Sequence, residues 1–254
     1  MAIHKTPAIV IGRRELGESD RLVDFYTLEF GKLRGVAKAA RRVRSRFGSA
    51  LELFTLGELV RVDHFDIVTP FVGLREHLER LGQGAWAIEC VARLSADRDP
   101  HPALFRLLVR DLRALEGSGR PAWISVCFAL RAVDLLGHRP RIDRCLACGR
   151  AYPFAEAVLD IELGGLVCAL CAPGADALPV SGGVVGVLTR LRGLRWDDAV
   201  RLTLAPSLDR EMGVLVEGLI ARLVGQPPRA SRFLGQVRRS LSRVAEPPAP
   251  RVRR

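Results

Sequence analysis

Two CxxC pairs constrain this chain more than any other feature of its sequence. Cys145-Leu-Ala-Cys148 and Cys168-Ala-Leu-Cys171 are separated by the 19 residues from Gly149 to Val167. At that spacing two tight turns can bring four thiolates onto one ion, with Zn–S bonds of ~2.3 Å. Gly149 follows the first pair and Gly164-Gly165 precede the second, so the backbone can fold closely around a metal. Four sulfur ligands close a tetrahedron and leave no position for water, which makes the expected Zn2+ structural rather than catalytic. Free thiols or a redox pair are the competing readings; ferredoxin-type clusters use different spacings. Cys90 and Cys127 fall among apolar residues of helical pattern and read as core.

The pattern on either side of this quartet differs. Pro7–Arg14, Arg21–Thr27, Gly31–Lys38, Leu51–Asp63 and Ile67–Gly73 read as five short strands. Five strands in so short a stretch fit a small β-barrel, of which the OB-fold and the SH3-like barrel are the two candidates. From about Arg75 the apolar period becomes helical: Leu78 to Leu94, Leu104 to Leu115, and Ala122 to Leu136, which is apolar nearly all round. Residues 138–178 interrupt the helices and hold the quartet. Val184–Leu194 and Ser207–Val224, with Ser207 as N-cap, read as two more, and Ser231–Val244 as a short last helix. The expected fold class is therefore α+β. Residues 1–75 form the barrel, 76–244 a helical domain with an inserted four-cysteine zinc knuckle at about 138–178, and 245–254 a disordered basic tail.

Charge narrows the function. The chain has 39 basic and 28 acidic residues among 254, a net charge of +11, which points to a polyanionic partner. Only Lys5, Lys32 and Lys38 are lysines, and so strong an arginine bias also follows from a G+C-rich genome. No apolar run approaches the ~18 residues of a membrane helix, and the run Ala8–Ile11 is too short for a signal peptide, so the chain reads as cytoplasmic. Between Glu29 and Glu52 lie Lys32, Arg34, Lys38, Arg41, Arg42, Arg44 and Arg46 and no acidic residue. On a barrel this stripe is the candidate DNA-binding face, tracking phosphates; otherwise it is a solvated loop. Phe47 is the ring best placed to stack on a base, with burial as the alternative. Arg229–Arg254 forms a second basic stretch.

No phosphate-binding GxxxxGK[ST] loop, GxSxG elbow or HExxH motif is present, and the histidines are scattered. Glu15, Glu18 and Asp20 crowd one turn without a third acidic element to make a nuclease site. An enzyme is the least supported class. A zinc-stabilised RNA-binding or transcription-associated OB-fold protein is the main alternative to a DNA-binding one.

Three groups of residues, in order, resemble a known family. Gly17-Glu18-Ser19-Asp20, Gly31-Lys32 and Gly35-Val36-Ala37-Lys38-Ala39-Ala40-Arg41 are similar to the barrel of the bacterial recombination mediator RecO. Leu136-Gly137-His138-Arg139-Pro140, the first CxxC pair with Gly149, and Gly164-Gly165 before the second resemble the zinc-bearing form of that family. Ser231-Arg232-Phe233-Leu234 resembles its C-terminal helix start. The likeness runs over roughly residues 3–240 and leaves the arginine-rich end unmatched. It implies an OB-fold, a helical domain, a zinc knuckle and no catalytic centre. It implies binding of single- and double-stranded DNA, annealing of complementary strands and, with RecR, loading of RecA onto DNA coated by single-stranded DNA-binding protein. It maps Lys32, Arg34, Lys38 and Arg41 onto the family's basic barrel face and the four cysteines onto its zinc ligands. A pocket for the acidic tail of the coating protein is expected on the helical domain.

Overall fold

The computed structural model describes residues 5–42, 45, 47–61, 64–154, 156–172 and 177–245. Five antiparallel strands come first: β1 (Thr6–Leu16), β2 (Asp20–Thr27), β3 (Gly31–Ala37), β4 (Leu56–Arg61) and β5 (His64–Thr69). Their order in the sheet is β3-β2-β1-β4-β5. Alternation assigns the faces. Ala8 and Val10 of β1, Val23 and Phe25 of β2, Leu59 of β4 and Phe65 of β5 share one core. Phe25 and Phe65 meet edge-on there, with ring centroids 5.3 Å apart. Ile9 and Tyr26, on the opposite face of the same strands, are equally buried but belong to the core of the helices.

Two strand boundaries differ from those expected. Leu51–Thr55 is turn, not strand, because the chain must place neighbouring side chains in different cores. Leu51 enters the barrel core and Phe54 the helical one, and Phe54 reaches it with a left-handed φ of 71°. At the other end, β5 starts earlier, at His64, and stops before Pro70; helix α1 (Val72–Arg75) begins directly after. Residues 62 and 63 of the expected fourth strand lie outside the described residues.

The helical part holds α2 (Leu78–Leu94), α3 (Pro102–Glu116), α4 (Pro121–Leu135), α5 (Gly182–Gly193), α6 (Trp196–Arg201), α7 (Pro206–Leu223) and α8 (Arg229–Ala245). Proline opens α3, α4 and α7, where its missing N–H leaves no intrahelical bond unmade. Ser207 is thus not the cap of α7: Ala205 holds that position and Pro206 starts the helix. The central helix α4 is buried on almost every side, and Trp123 Nε1 donates to the Ala199 carbonyl of α6 at 3.0 Å. Between α4 and α5 the chain forms a small sheet of order β7-β6-β8, made of β6 (Ala157–Asp160), β7 (Gly165–Cys168) and β8 (Leu178–Val180). Neither this sheet nor α6 has a counterpart in the sequence pattern.

The last helix is docked by two devices. Glu89 of α2 accepts from the backbone N–H groups of Arg229 and Ala230, at 2.9 and 3.0 Å, and so caps the positive end of α8. Gly82 lets the helices approach, since a Cβ there would stand 2.6 Å from Leu234 Cδ2.

One buried group opposes this packing. Asp111 of α3 is fully buried, and neither carboxylate oxygen has a hydrogen-bond partner among the described residues. Burial raises its pKa well above the usual carboxylate value. The folded state therefore keeps a proton that the unfolded chain releases near pH ~4. Stability from this site is present in full below that pH and is lost as pH rises toward the folded pKa. The Asp111→Asn variant should match the parent in acid and exceed it increasingly toward neutral pH. Urea unfolding across that range checks this; a parent–variant difference that does not change with pH contradicts it.

Candidate metal centre and basic face

Each CxxC pair sits on a tight turn. Cys145 N–H donates to the Arg150 carbonyl at 2.8 Å, and Gly149 N–H donates back to the Cys145 carbonyl at 2.9 Å. Gly149 takes a φ of 76°, a conformation that glycine adopts without strain. Cys168 ends β7, and Cys171 N–H donates to its carbonyl at 2.9 Å. The two turns are held face to face by backbone pairing: Leu146 N–H donates to the Leu166 carbonyl and Leu166 N–H to the Arg141 carbonyl, both at 2.8 Å. Gly165 permits this approach, because a Cβ there would lie 2.4 Å from the Arg141 carbonyl oxygen.

The result is a cluster of four sulfur atoms, all within 4.8 Å of one another. A tetrahedral ion with bonds of ~2.3 Å requires sulfur separations of about 3.8 Å. Cys148 and Cys168 Sγ stand at 4.0 Å, so small side-chain adjustments suffice. Burial raises the Cys145 thiol, but N–H donors of Cys168, Cys148 and Ala147 outweigh it and bring the thiol down to about 6. Cys171 goes the other way, up to about 12, through its hydrogen bonds with Cys168 and Cys148 and through burial. Four thiolates this close need a countercharge, which a divalent cation supplies. The donor set and its geometry fit a metal ion. His138 is exposed and outside the cluster. Cys90 and Cys127 are buried in the helical core, as the sequence indicates, and burial pushes the Cys127 thiol up to about 12.

The basic stripe is divided in its use. Lys32 is four-fifths buried: its Nζ donates to the Ala92 carbonyl at 2.7 Å and pairs with Asp97 at 3.1 Å. It clamps β3 to the segment after α2. Arg34 pairs closely with Asp24, and Arg41 with Glu15 at 3.2 Å and the Gly17 carbonyl at 3.1 Å. Lys38 and Arg42 are exposed, and neither side chain meets a carboxylate among the described residues. Arg44 and Arg46 lie outside the described residues. The turn that presents Lys38 and Arg42 is fixed from below: the Asp20 carboxylate accepts from Ala39 N–H at 2.8 Å and from Ser19 Oγ at 3.0 Å. The Ala39 bond, then the Ser19 bond, hold the Asp20 pKa below its usual value. Phe47 is 6% exposed and part of the barrel core, so it presents no face to a base.

Sequence reasoning missed a cleft of about 360 Å3 between α2, α4 and α7. Trp86 Nε1 and Ser125 Oγ line it, buried and, among the described residues, without a hydrogen-bond partner, and Asp209, Arg210 and Glu217 bring charge to it. These residues lie far apart in the chain, and no local pattern joins them.

The chain with this barrel, basic turn, helical bundle and four-cysteine knuckle matches a family of DNA-repair proteins. Residues 1–68 match the family described as Recombination protein O N terminal, and residues 75–232 match Recombination protein O C terminal. The chain belongs to the RecO family, and its N-terminal barrel is the OB-fold of that family. It is 36% identical to the DNA repair protein RecO of Anaeromyxobacter sp. (strain K), over 92% of this chain and 96% of that one. The corresponding proteins of Geobacter metallireducens and Myxococcus xanthus are 34% and 35% identical, over 92% and 91% of this chain and 97% and 96% of theirs.

The close approach of Gly31, next to Lys32, gives a direct test of the clamp between β3 and the segment after α2. Gly31 has a φ of 64°, and a Cβ on it would lie 2.3 Å from the Asp99 carbonyl oxygen. Gly31→Ala should therefore destabilise the fold by at least ~1–2 kcal/mol, the left-handed strain alone. Thermal unfolding checks this, and an unchanged melting temperature contradicts the clamp.

Proposed function

We propose that this chain is a DNA-repair and recombination mediator that acts without a catalytic centre. It binds single- and double-stranded DNA, anneals complementary strands and, with RecR, helps load RecA onto DNA coated by single-stranded DNA-binding protein. The reading rests on family membership and, within the structure, on one observation. The turn after β3 holds exposed Lys38 and Arg42 on a backbone fastened by Asp20. Cations on a fixed turn neutralise phosphates, lowering the repulsion between complementary strands so that base pairing can drive annealing. Arg41, Arg44 and Arg46 extend this face in the sequence, while Lys32 and Arg34 support it from β3.

In this reading residues 1–75 are the DNA-binding domain, and residues 76–244 the partner-binding one. Cys145, Cys148, Cys168 and Cys171 hold a structural Zn2+ that supplies cross-linking and no chemistry. The acidic tail of the coating protein meets the helical domain. The site of action is chromosomal DNA in the cytoplasm. Among the described residues no helix is long and apolar enough to cross a membrane.

Protein purified without chelators should contain one zinc per chain, and Cys148→Ser should reduce the metal content and destabilise the helical part. Metal analysis of the parent that finds no zinc contradicts the assignment. Lys38→Ala combined with Arg42→Ala should make the log–log salt dependence of single-strand binding shallower by roughly 0.7 for each phosphate no longer neutralised. The weakening should be the same for every base composition, since phosphates hold no sequence information. A folded double variant with the parent's salt dependence and annealing rate contradicts the reading.

A further inference from the structure

The solvent side of α3 carries Arg106, Arg110 and Arg113, all exposed. Steps of four and three residues set them in a row, with about 6 and 4.5 Å of axial rise between neighbours. Among the described residues none of the three meets a carboxylate. Like charges at these spacings repel one another along a helix, and α3 leaves them uncompensated. Its own acidic residues are committed elsewhere: Asp111 is buried, and Glu116 accepts from Gly73 N–H at 3.1 Å. The row borders an open groove of about 430 Å3 between α3 and the β4–β5 end of the sheet, with Leu56 and Val68 on its floor. Glu58, also in the groove, is 3.8 Å from Lys5 Nζ.

We propose that this row is a second phosphate-binding track, which takes the backbone of a second nucleic-acid strand while the turn after β3 holds the first. The proposal rests on the DNA-binding reading above. Charge and shape select the occupant: a line of guanidinium groups without countercharge complements a chain of regularly repeated anions, and each guanidinium can fork onto a phosphate. The groove beside it is largely apolar, and Phe105 in its lining is buried against Tyr26, so bases would lie against it without being read. The two tracks draw on different cations, Lys38 and Arg42 on the turn after β3 and the three arginines on α3, so the strands do not compete for the same charges. A strand-annealing protein needs such a pair of sites on one chain or on two.

The test uses the full chain, labelled oligothymidine as the binding probe, and a complementary pair of oligonucleotides for annealing. Replacing Arg106, Arg110 and Arg113 together by alanine should reduce saturation from two strands per chain to one and slow annealing about tenfold or more. The salt dependence of the second binding step should become shallower by roughly 0.7 per arginine. The triple lysine variant should keep the stoichiometry, which separates charge from packing. Circular dichroism reports the fold, and Arg110→Ala alone gives a smaller loss of the same kind should the triple alanine variant not fold. A parent that does not bind oligothymidine overturns the DNA-binding reading and this proposal with it. A parent that binds, with an alanine variant of unchanged stoichiometry and annealing, overturns this proposal alone. So does an alanine variant that keeps all DNA behaviour and loses a labelled peptide of alternating Asp and Phe, since the groove would then serve a protein segment.

Discussion

Residues 8–10 of β1 and 25–27 of β2 are buried on both faces, and the rest of the molecule depends on that. Ala8, Val10, Val23 and Phe25 fill the barrel, while Ile9 and Tyr26 on the reverse side fill the helical core. Tyr26 lies against Phe105 of α3 with ring centroids 6.1 Å apart. The barrel and the helices thus share a wall instead of meeting across a linker. Separating them would expose large apolar side chains on both sides of the break, at ~1.5–3 kcal/mol for each one fully uncovered. The Lys32–Asp97 pair and the close approach of Gly31 to Asp99 fasten the same junction at its edge.

This shared wall explains how the cations are divided. A charge beside the junction is drawn into it: Lys32 gives its donors to α2 and Asp97, and Arg34 stays with Asp24 on the neighbouring strand. A charge one turn further, at Lys38 or Arg42, clears the junction and faces solvent. The cysteine knuckle stands apart from both, in a small sheet between α4 and α5, whose own core is no more than Val167 with Cys145 and Cys168 and the side chains packed on them. The fold thereby keeps apart three features of the chain: the exposed basic turn, the junction of the two cores, and the four-cysteine insertion.

Much of this is legible in the sequence because it is local. Two CxxC pairs at zinc spacing predict a cluster that the structure forms, and the change from alternating to helical periodicity near Arg75 is the change from β5 to α1 and α2. What is illegible is what depends on distant neighbours or on very short elements. Strands β6 to β8 and helix α6 have three to six residues each, too few to establish a period. Lys32 looks like any cation of a basic stripe until Ala92, 60 residues away, supplies its carbonyl. Phe47 looks like a stacking ring beside Arg46, yet the turn after β3 folds it into the barrel. Nothing local marks Asp111 as pointing into the core, and Trp86 with Ser125 forms a cleft only once α2 and α4 are packed together.

A shared wall requires that the barrel and the helical bundle unfold as one unit through β1 and β2. Native-state hydrogen exchange on the intact chain tests this most directly. The slowest amides of β1 and β2 and those of α2 to α4 should share one opening free energy. Ile9→Ala should lower both together, by an amount in the ~2–5 kcal/mol range of buried truncations. Barrel amides that exchange through an opening of their own, while the helices keep their protection and do not respond to Ile9→Ala, would contradict it.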